Sequence, residues 1–484
     1  MKINNKIILV IIFLLTLSFR LYLSFTNSSF SSDDSYFNLR VTQHIIENKN
    51  PLVYDELSYS GRNFIYPQFF NYLLALFSFI PEYEKIIPSI LISSIIFIVY
   101  LISKRITNSA NASLFIAFIS AFIPIEIRTT ANQISVYSLV IPIILLMILC
   151  LLNLETKKYF NLFILLSFLL PLIHPTSFLF AFSLLFYLIL INTESINVTR
   201  YKKEIILFSF FVILIINFFL YKSALVKYGM NIIWQNIPGA LFNEYFRTFN
   251  LLEVLYLVGV VPLILGAIGI YTGLFKKKDE NMVLLSSFIL SSLLLMSLKI
   301  ISLQAGVLFI ALPLLIASSK SLYNLYYYFS LTKFEKVKRY FNIIFFIIIL
   351  ALSLIPSIFI ALSLPNYNQD AEVFKWLHEN TEKSSVILAP IELGNVLTYY
   401  ADRKNVADNN FLLAPNVEER LNDIQLIYIS PFEIKGLELI KKYNINYIYA
   451  PAYYLNKFNL QKIPYIDDEK CFELVKKDVY KIKC

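Results

Sequence analysis

Apolar residues run almost unbroken through eleven stretches, near 7–25, 86–103, 112–127, 134–154, 160–173, 176–192, 204–221, 251–275, 282–299, 303–319 and 341–364. As helices, about 17 to 25 such residues cross a ~30 Å hydrocarbon core, and shorter runs cross where neighbouring helices shield their ends. The pattern therefore predicts about eleven transmembrane helices within residues 1–365. Two regions break the rhythm. Residues 26–85 form a long polar loop whose apolar end, 69–80, suits a short interfacial helix. Residues 366–484 alternate between two periods: 371–377 reads as an amphipathic helix, whereas 385–388 and 446–449 read as buried strands. The expected fold class is a polytopic α-helical membrane protein with a C-terminal α/β domain over 366–484.

Composition sharpens this picture. Of 484 residues, 57% are hydrophobic and 15% charged, against about 25% charge in soluble domains. A soluble enzyme, a disordered chain and a collagen-like chain are excluded. The net charge of +9 raises the question of nucleic acid. Residues 366–484 carry 15 basic and 17 acidic side chains, leaving 27 and 16 for the rest, so the basic excess belongs to the membrane half and no nucleic-acid partner is expected.

The position of those charges predicts an orientation. With a cytoplasmic N-terminus, alternate loops on that side hold Lys2 and Lys6, Lys104 and Arg105, Lys157 and Lys158, and Arg200, Lys202 and Lys203. Lys276 to Lys278 follow, then Lys320, Lys333, Lys336, Lys338 and Arg339. Every such loop is basic, as the positive-inside rule requires. An odd number of spans places 366–484 outside a cell membrane. The first 25 residues read as a retained helix, with a cleaved signal peptide as the alternative. Cys471 and Cys484 share the external domain, where an oxidising space would allow them to pair.

Candidate chemistry gathers on the same predicted face. Asp33 and Asp34 follow the first span directly, where two carboxylates can hold a divalent cation or accept a proton; an acidic start to an external helix is the plainer use. Arg40, Arg62 and Arg128 can match a lipid-linked phosphate with paired donors, or serve as ordinary carboxylate partners. His174, between Pro171 and Pro175, can ligate, hydrogen-bond a sugar or cap a broken helix. Trp234, Gln235 and Asn236 sit in a loop that faces substrate or forms an interfacial aromatic belt.

In this order the pieces resemble the GT-C superfamily of membrane glycosyltransferases, most closely the archaeal catalytic subunit of oligosaccharyltransferase. The first-loop signature reads Asp34-Ser35-Tyr36-Phe37-Asn38-Leu39-Arg40, followed by Tyr66-Pro67. The Pro-x-x-x-Arg pattern of the second external loop is Pro124 to Arg128. Gly394, the run Asp402 to Asn410 and the strand near Tyr443 to Tyr449 match the terminal domain. The resemblance implies a metal-binding or catalytic acid at Asp33 or Asp34, with Mg or Mn as the candidate cation, and a substrate-binding role near Gln235 in place of the family's loop glutamate. The family's second acidic pair would fall near Ser135 and Tyr137, which are not acidic. Where its Trp-Trp-Asp motif should stand, this chain has Pro390-Ile391-Glu392, so reading of an Asn-x-Ser/Thr acceptor is not supported.

The implied activity is an inverting transfer of a sugar or oligosaccharide from a polyprenyl-phosphate or pyrophosphate donor to an external glycan or protein acceptor. Asp34 is the preferred base or metal ligand. Arg40, Arg62, Arg128, His174 and Gln235 are the substrate-binding candidates, and donor, acceptor and membrane lipids are the partners. The alternative is a non-catalytic relative that binds lipid-linked glycan or supports a glycosylation complex. A secondary transporter fits less well, because few charges lie within the spans.

Overall fold

The computed structural model describes residues 4–247, 250–331 and 338–484. Lys2, Lys333 and Lys336 of the basic loops lie outside them. The chain forms two compact units, one of residues 1–27, 67–220 and 245–364, the other of 28–66, 221–244 and 365–484.

The first unit is helical throughout. Among the described residues, five helices are long and apolar enough to cross a membrane: Asn5–Thr26, Tyr83–Thr107, Arg200–Trp234, Glu280–Ser297 and Leu303–Tyr328. Two bent helix pairs, each a broken span or a re-entrant loop, pass the same test together. Ala110–Ser120 meets Pro124–Thr130 at 46°, and Leu251–Val258 meets Val260–Lys276 at 92°. Tyr137–Leu151, Ser177–Thr193 and Ile347–Leu362 are shorter apolar helices, and Lys157–Leu169 occupies most of the stretch 160–173. The protein is thus a multi-pass membrane protein, with five to seven spans among the described residues by length and composition. The sharp bend inside 251–275, read from sequence as one span, has a local cause. Gly259 sits at φ 87°, a left-handed conformation that halts the helix, and Pro262 restarts it in the first turn.

Close backbone approach holds this unit together where lipid offers no hydrophobic drive between helices. Added Cβ atoms at Gly266 and Gly269 would lie 2.3 Å from the Leu314 and Ala317 carbonyl oxygens, so these glycines let two helices pack backbone to backbone. Elsewhere in the unit, Arg20 is 2% exposed and reaches a fully buried Glu126 at 2.5 Å while bonding the Thr130 hydroxyl at 3.0 Å. An ionic pair this deep persists only when both charges are matched.

The second unit carries the sheets. A short antiparallel hairpin pairs Tyr54–Asp55 (β1) with Arg62–Asn63 (β2). A five-stranded sheet follows: Val386–Leu388 (β3), Lys404–Asn405 (β4), Ile445–Tyr449 (β5), Phe472–Lys476 (β6) and Val479–Ile482 (β7), in the order β4-β3-β5-β7-β6. β3 runs parallel to β4 and β5, whereas β7 pairs antiparallel with β5 and β6. All three β3 residues are buried, as expected of a parallel strand covered on both faces. Helices Asn368–Asn380 and Gly394–Tyr400 belong to the same unit, and a disulfide joins Cys471 to Cys484.

Candidate functional site

Helix Asp33–Asn48 places both candidate carboxylates in its first turn, where the positive end of the helix dipole favours them. Two aromatic residues behind them fix the helix. Tyr36 is fully buried, its ring centroid 5.5 Å from Tyr399 and 5.3 Å from Tyr400, and its hydroxyl accepts from the Phe30 amide at 3.0 Å. Phe37 packs on Phe64 at 5.0 Å and edge-on to Tyr66 at 5.6 Å. The aromatic part of the sequence signature is therefore a socket that seats the acidic part.

The two aspartates then diverge. Asp33 is buried, and its Oδ1 accepts from the Asn395 and Val396 backbone amides, each at 3.0 Å, while Oδ2 lies 2.6 Å from the Asn395 side-chain amide. This carboxylate caps the short helix that follows β3. Burial pushes it well above the usual carboxylate range, aided by the Asp34 charge and opposed by the Asn395 and Val396 bonds. Asp34 is exposed. The protein mass around it and the charge of Asp408 still raise its carboxyl, because an open rim does not restore full hydration to a group walled on its other sides.

The arginines also separate by use. Arg40 grips Asp55 through two parallel bonds, Nη1–Oδ1 at 2.6 Å and Nη2–Oδ2 at 2.7 Å. Arg62 is buried, donating to the Ser58 hydroxyl at 2.7 Å and to the Asn410 and Leu412 carbonyls at 2.5 and 3.0 Å, with Asp408 at 3.5 Å. Both act as braces of the loop after helix Asp33–Asn48. Arg128, in the first unit, is 38% exposed and only 3.8 Å from Glu253, which also pairs with Arg247. Two exposed cations thus share one carboxylate. Sequence reasoning missed Arg247 and Glu253.

His174, also in the first unit, accepts the Thr176 amide at Nδ1, 3.2 Å away, which leaves the proton on Nε2. Its ring packs 5.1 Å from Tyr137, just ahead of helix Ser177–Thr193. Gln235, in the second unit, is exposed and closes a 3₁₀ turn at φ 54°. At the positions matching the family's second acidic pair, Ser135 Oγ accepts the Tyr137 amide at 3.3 Å, a local turn contact.

Within the second unit a cleft of about 410 Å³ opens beside the Asp33 turn, lined by Tyr367, Asp370, Pro390, Glu392, Tyr453 and Lys457 among others. The Asp33 backbone amide donates to the Tyr367 phenol, tying the cleft wall to the helix start. Asp370 Oδ1 receives the Tyr449 and Tyr453 hydroxyls at 2.7 and 3.0 Å. Lys457 meets Glu392 Oε1 at 2.6 Å, and Glu392 Oε2 is buried without a partner. The cleft lies past the carboxyl end of β3, the usual place for ligands on parallel strands.

A metal fits this arrangement poorly. A divalent cation of the Mg or Ca type takes six or more oxygens, and with both Asp33 oxygens bonded to N–H groups only Asp34 is open in the pair. The described residues also bring Glu433, Asp468 and Cys471 together, but Cys471 is in the disulfide and supplies no thiolate.

No family model matches the chain, and no curated protein matches it by sequence. Solved structures do. The apo oligosaccharyltransferase of Archaeoglobus fulgidus superposes with a TM-score of 0.71 at 14% identity, over 92% of this chain and 69% of that one. The oligosaccharyltransferase AglB from the same organism, in complex with an inhibitory peptide and a dolichol-phosphate, gives 0.68 at 14% identity over the same shares. A further structure of the A. fulgidus enzyme holds Zn and sulfate. ArnT from Cupriavidus metallidurans, bound to undecaprenyl phosphate, gives 0.53 at 10% identity over 83% of this chain and 85% of that one. The chain shares the fold of these oligosaccharyltransferase and ArnT structures, in line with the GT-C resemblance read from its sequence.

Proposed function

We propose that the protein is an inverting glycosyltransferase that moves a sugar or oligosaccharide from a polyprenyl-phosphate or pyrophosphate donor to an acceptor on the external membrane face. The observation that carries this reading is the division of labour at the first turn of helix Asp33–Asn48: Asp33 caps a neighbouring helix while its backbone amide holds Tyr367 of the cleft wall, and Asp34, next to it, is left exposed. Its carboxyl is raised by the surrounding protein and by the Asp408 charge, which makes it a stronger base than a free carboxylate.

In the proposed step an acceptor hydroxyl in the cleft attacks the anomeric carbon. Asp34 takes the hydroxyl proton, the new glycosidic bond forms, and the bond from carbon to the lipid phosphate breaks, the electron pair leaving with the phosphate. Within the first unit, Arg128 and Arg247 are separate candidates for holding a lipid phosphate, since arginine pairs with phosphate through two parallel donors. Arg40 and Arg62 hold the loop in place. No step is routed through a metal. The disulfide and the basic loops support an external second unit and a cytoplasmic N-terminus. Support for a lipid-linked donor comes from the fold shared with proteins solved with dolichol-phosphate and undecaprenyl phosphate.

The decisive experiment is mass spectrometry of lipid-linked and protein-linked glycans in cells with and without the gene, complemented by wild type or by Asp34→Asn. Loss of one glycan, restored by wild type and not by Asp34→Asn, is expected; restoration by the variant sinks the role of Asp34. A second reading, a non-catalytic relative that binds lipid-linked glycan, is favoured by the turn contact of Ser135 where an acidic pair would stand. Turnover of a donor by purified protein excludes it.

A further inference from the structure

Helix Pro124–Thr130, in the first unit, is seven residues long and follows helix Ala110–Ser120 across a 46° bend. A helix this short has too few internal bonds to hold itself, so its position and its rotation are set by what it touches. Two contacts fix it. At the bend, the Phe122 carbonyl accepts the Ser357 hydroxyl at 2.7 Å. Along its body, Arg20 Nη2 lies 2.5 Å from both Glu126 carboxylate oxygens, and Arg20 Nη1 donates to the Thr130 hydroxyl at 3.0 Å. The Thr130 hydroxyl in turn donates to the Glu126 carbonyl at 2.7 Å.

The two partners of Arg20 stand on one face. Glu126 and Thr130 are four residues apart and lie one above the other, whereas Arg128, two residues after Glu126, projects about 200° round the axis. Every residue of the helix is buried except Arg128. One face is therefore clamped, and the opposite face presents a single cation 3.8 Å from Glu253. Stability alone does not account for the clamp. Replacing a buried ion pair by apolar residues of similar volume is often neutral or stabilising, and this pair leaves Arg20 Nε buried without a partner. What the pair adds is direction: bonds from one rigid guanidinium plane to two residues of the same face admit one rotation of the helix.

We propose that Arg20 and Glu126 are positioning residues for a lipid phosphate: their pair sets the rotation of helix Pro124–Thr130 and so aims Arg128. The inference rests on the reading of Arg128 as a phosphate ligand. Arg20 and Glu126 are 2% and 0% exposed, so both act through Arg128 and not by contact with the lipid.

A mutant cycle on the full-length protein in detergent tests this, with equilibrium binding of undecaprenyl phosphate as the readout. Arg20→Met combined with Glu126→Leu removes both charges together; it should unfold at the wild-type temperature or above, yet bind undecaprenyl phosphate about fivefold more weakly. Made in an Arg128→Ala background, the same double change should cost nothing more, because the residue it positions is gone. A purely structural pair gives wild-type affinity, or the same loss with and without Arg128, and either result overturns the proposal. If the double variant is not recovered folded, Arg20→Lys carries the test. A lysine keeps the charge beside Glu126 but has no rigid plane to span Glu126 and Thr130, so affinity should fall about threefold with Arg128 present and not in its absence. Wild-type affinity of that variant likewise overturns the proposal. Wild-type affinity of Arg128→Ala itself removes the phosphate reading of Arg128 and this inference with it, whereas the other failures remove the inference alone.

Discussion

Asp33 and Asn395 meet across 362 positions of sequence, the carboxylate accepting both the backbone and the side-chain amide of the asparagine. Asn395 Oδ1 is buried without a partner. An asparagine at position 33 keeps an Oδ1 to accept the Asn395 and Val396 backbone amides and gives up only the Oδ2 contact with the Asn395 side chain. A neutral isostere should therefore serve. Asp33→Asn is expected to stay within about 1 kcal/mol of wild type, whereas Asp33→Ala leaves two backbone amides uncapped and costs about 2 kcal/mol. Thermal unfolding of purified protein in detergent distinguishes them; equal losses would remove the capping role.

Asp34 should behave in the opposite way. Its side chain is exposed and holds no cap, so Asp34→Asn should leave the unfolding temperature unchanged. Removing a positioned base lowers turnover by about 10² to 10⁴. Single-turnover assays on a supplied lipid-linked donor test this, and a variant with wild-type turnover would reassign the proton to another group.

Opposite pH signs are expected from two carboxyls of the second unit. Burial tends to raise Asp55, but the Arg40 charge and its two bonds outweigh burial and hold it below the usual range. Its contribution is present above its unfolded value, about 3.9, and is lost as pH falls through the lower folded value. Asp33 is raised, so its contribution is full below about pH 4 and is lost as pH rises through its folded value. Unfolding temperature against pH should show both limbs. Asp55→Asn should flatten the acid limb alone and Asp33→Asn the other; a profile indifferent to both would contradict these assignments.

The legible parts of the chain were those set by local pattern. Alternation around 385–388 and 446–449 foretold β3 and β5, and the apolar runs foretold helices, because period and length need no distant partner. The turn at 251–275 was written in Gly259 and Pro262, yet a continuous apolar run hides a bend from any hydropathy reading. The site was legible as composition but not as use. Nothing near Arg62 in sequence announces that it will reach the carbonyls of Asn410 and Leu412, and nothing beside Asp33 marks it as the cap of a helix more than three hundred residues on. Long-range hydrogen bonds leave no periodic trace, so two adjacent aspartates that look equivalent in sequence acquire different roles only in the fold.

The tight helix pair in the membrane unit yields a further expectation. A side chain at Gly266 or Gly269 must push two backbones apart, since its Cβ would stand 2.3 Å from a carbonyl oxygen of the facing helix. Gly269→Leu should therefore destabilise by about 3 kcal/mol or abolish folded expression, in the manner of overpacked cores. Gly229, with nothing near its Cβ position, is the matched control. Its φ of 57° limits the control to Gly229→Asn, a residue that tolerates that conformation, and it should express and unfold like wild type. Similar behaviour of the two variants would mean the helices have room to separate.

The exposed arginine pair gives the last test, and it separates donor binding from chemistry. Arg128 and Arg247 share the single carboxylate of Glu253, so the cluster keeps a net positive charge at a partly exposed position. A lipid phosphate arriving there competes with Glu253 for the guanidinium donors. Arg128→Ala and Arg247→Ala should each weaken binding of undecaprenyl phosphate about tenfold, the loss of one charge-assisted contact, and Glu253→Gln should strengthen it by freeing both cations. Raising the salt concentration should blunt all three changes, because exposed charges are screened over about 10 Å at 0.1 M. Equilibrium binding of undecaprenyl phosphate to purified variants reads these effects without any transfer reaction. If Glu253→Gln weakened binding along with the arginine variants, Glu253 would be holding the arginines in a productive geometry instead of competing with the phosphate.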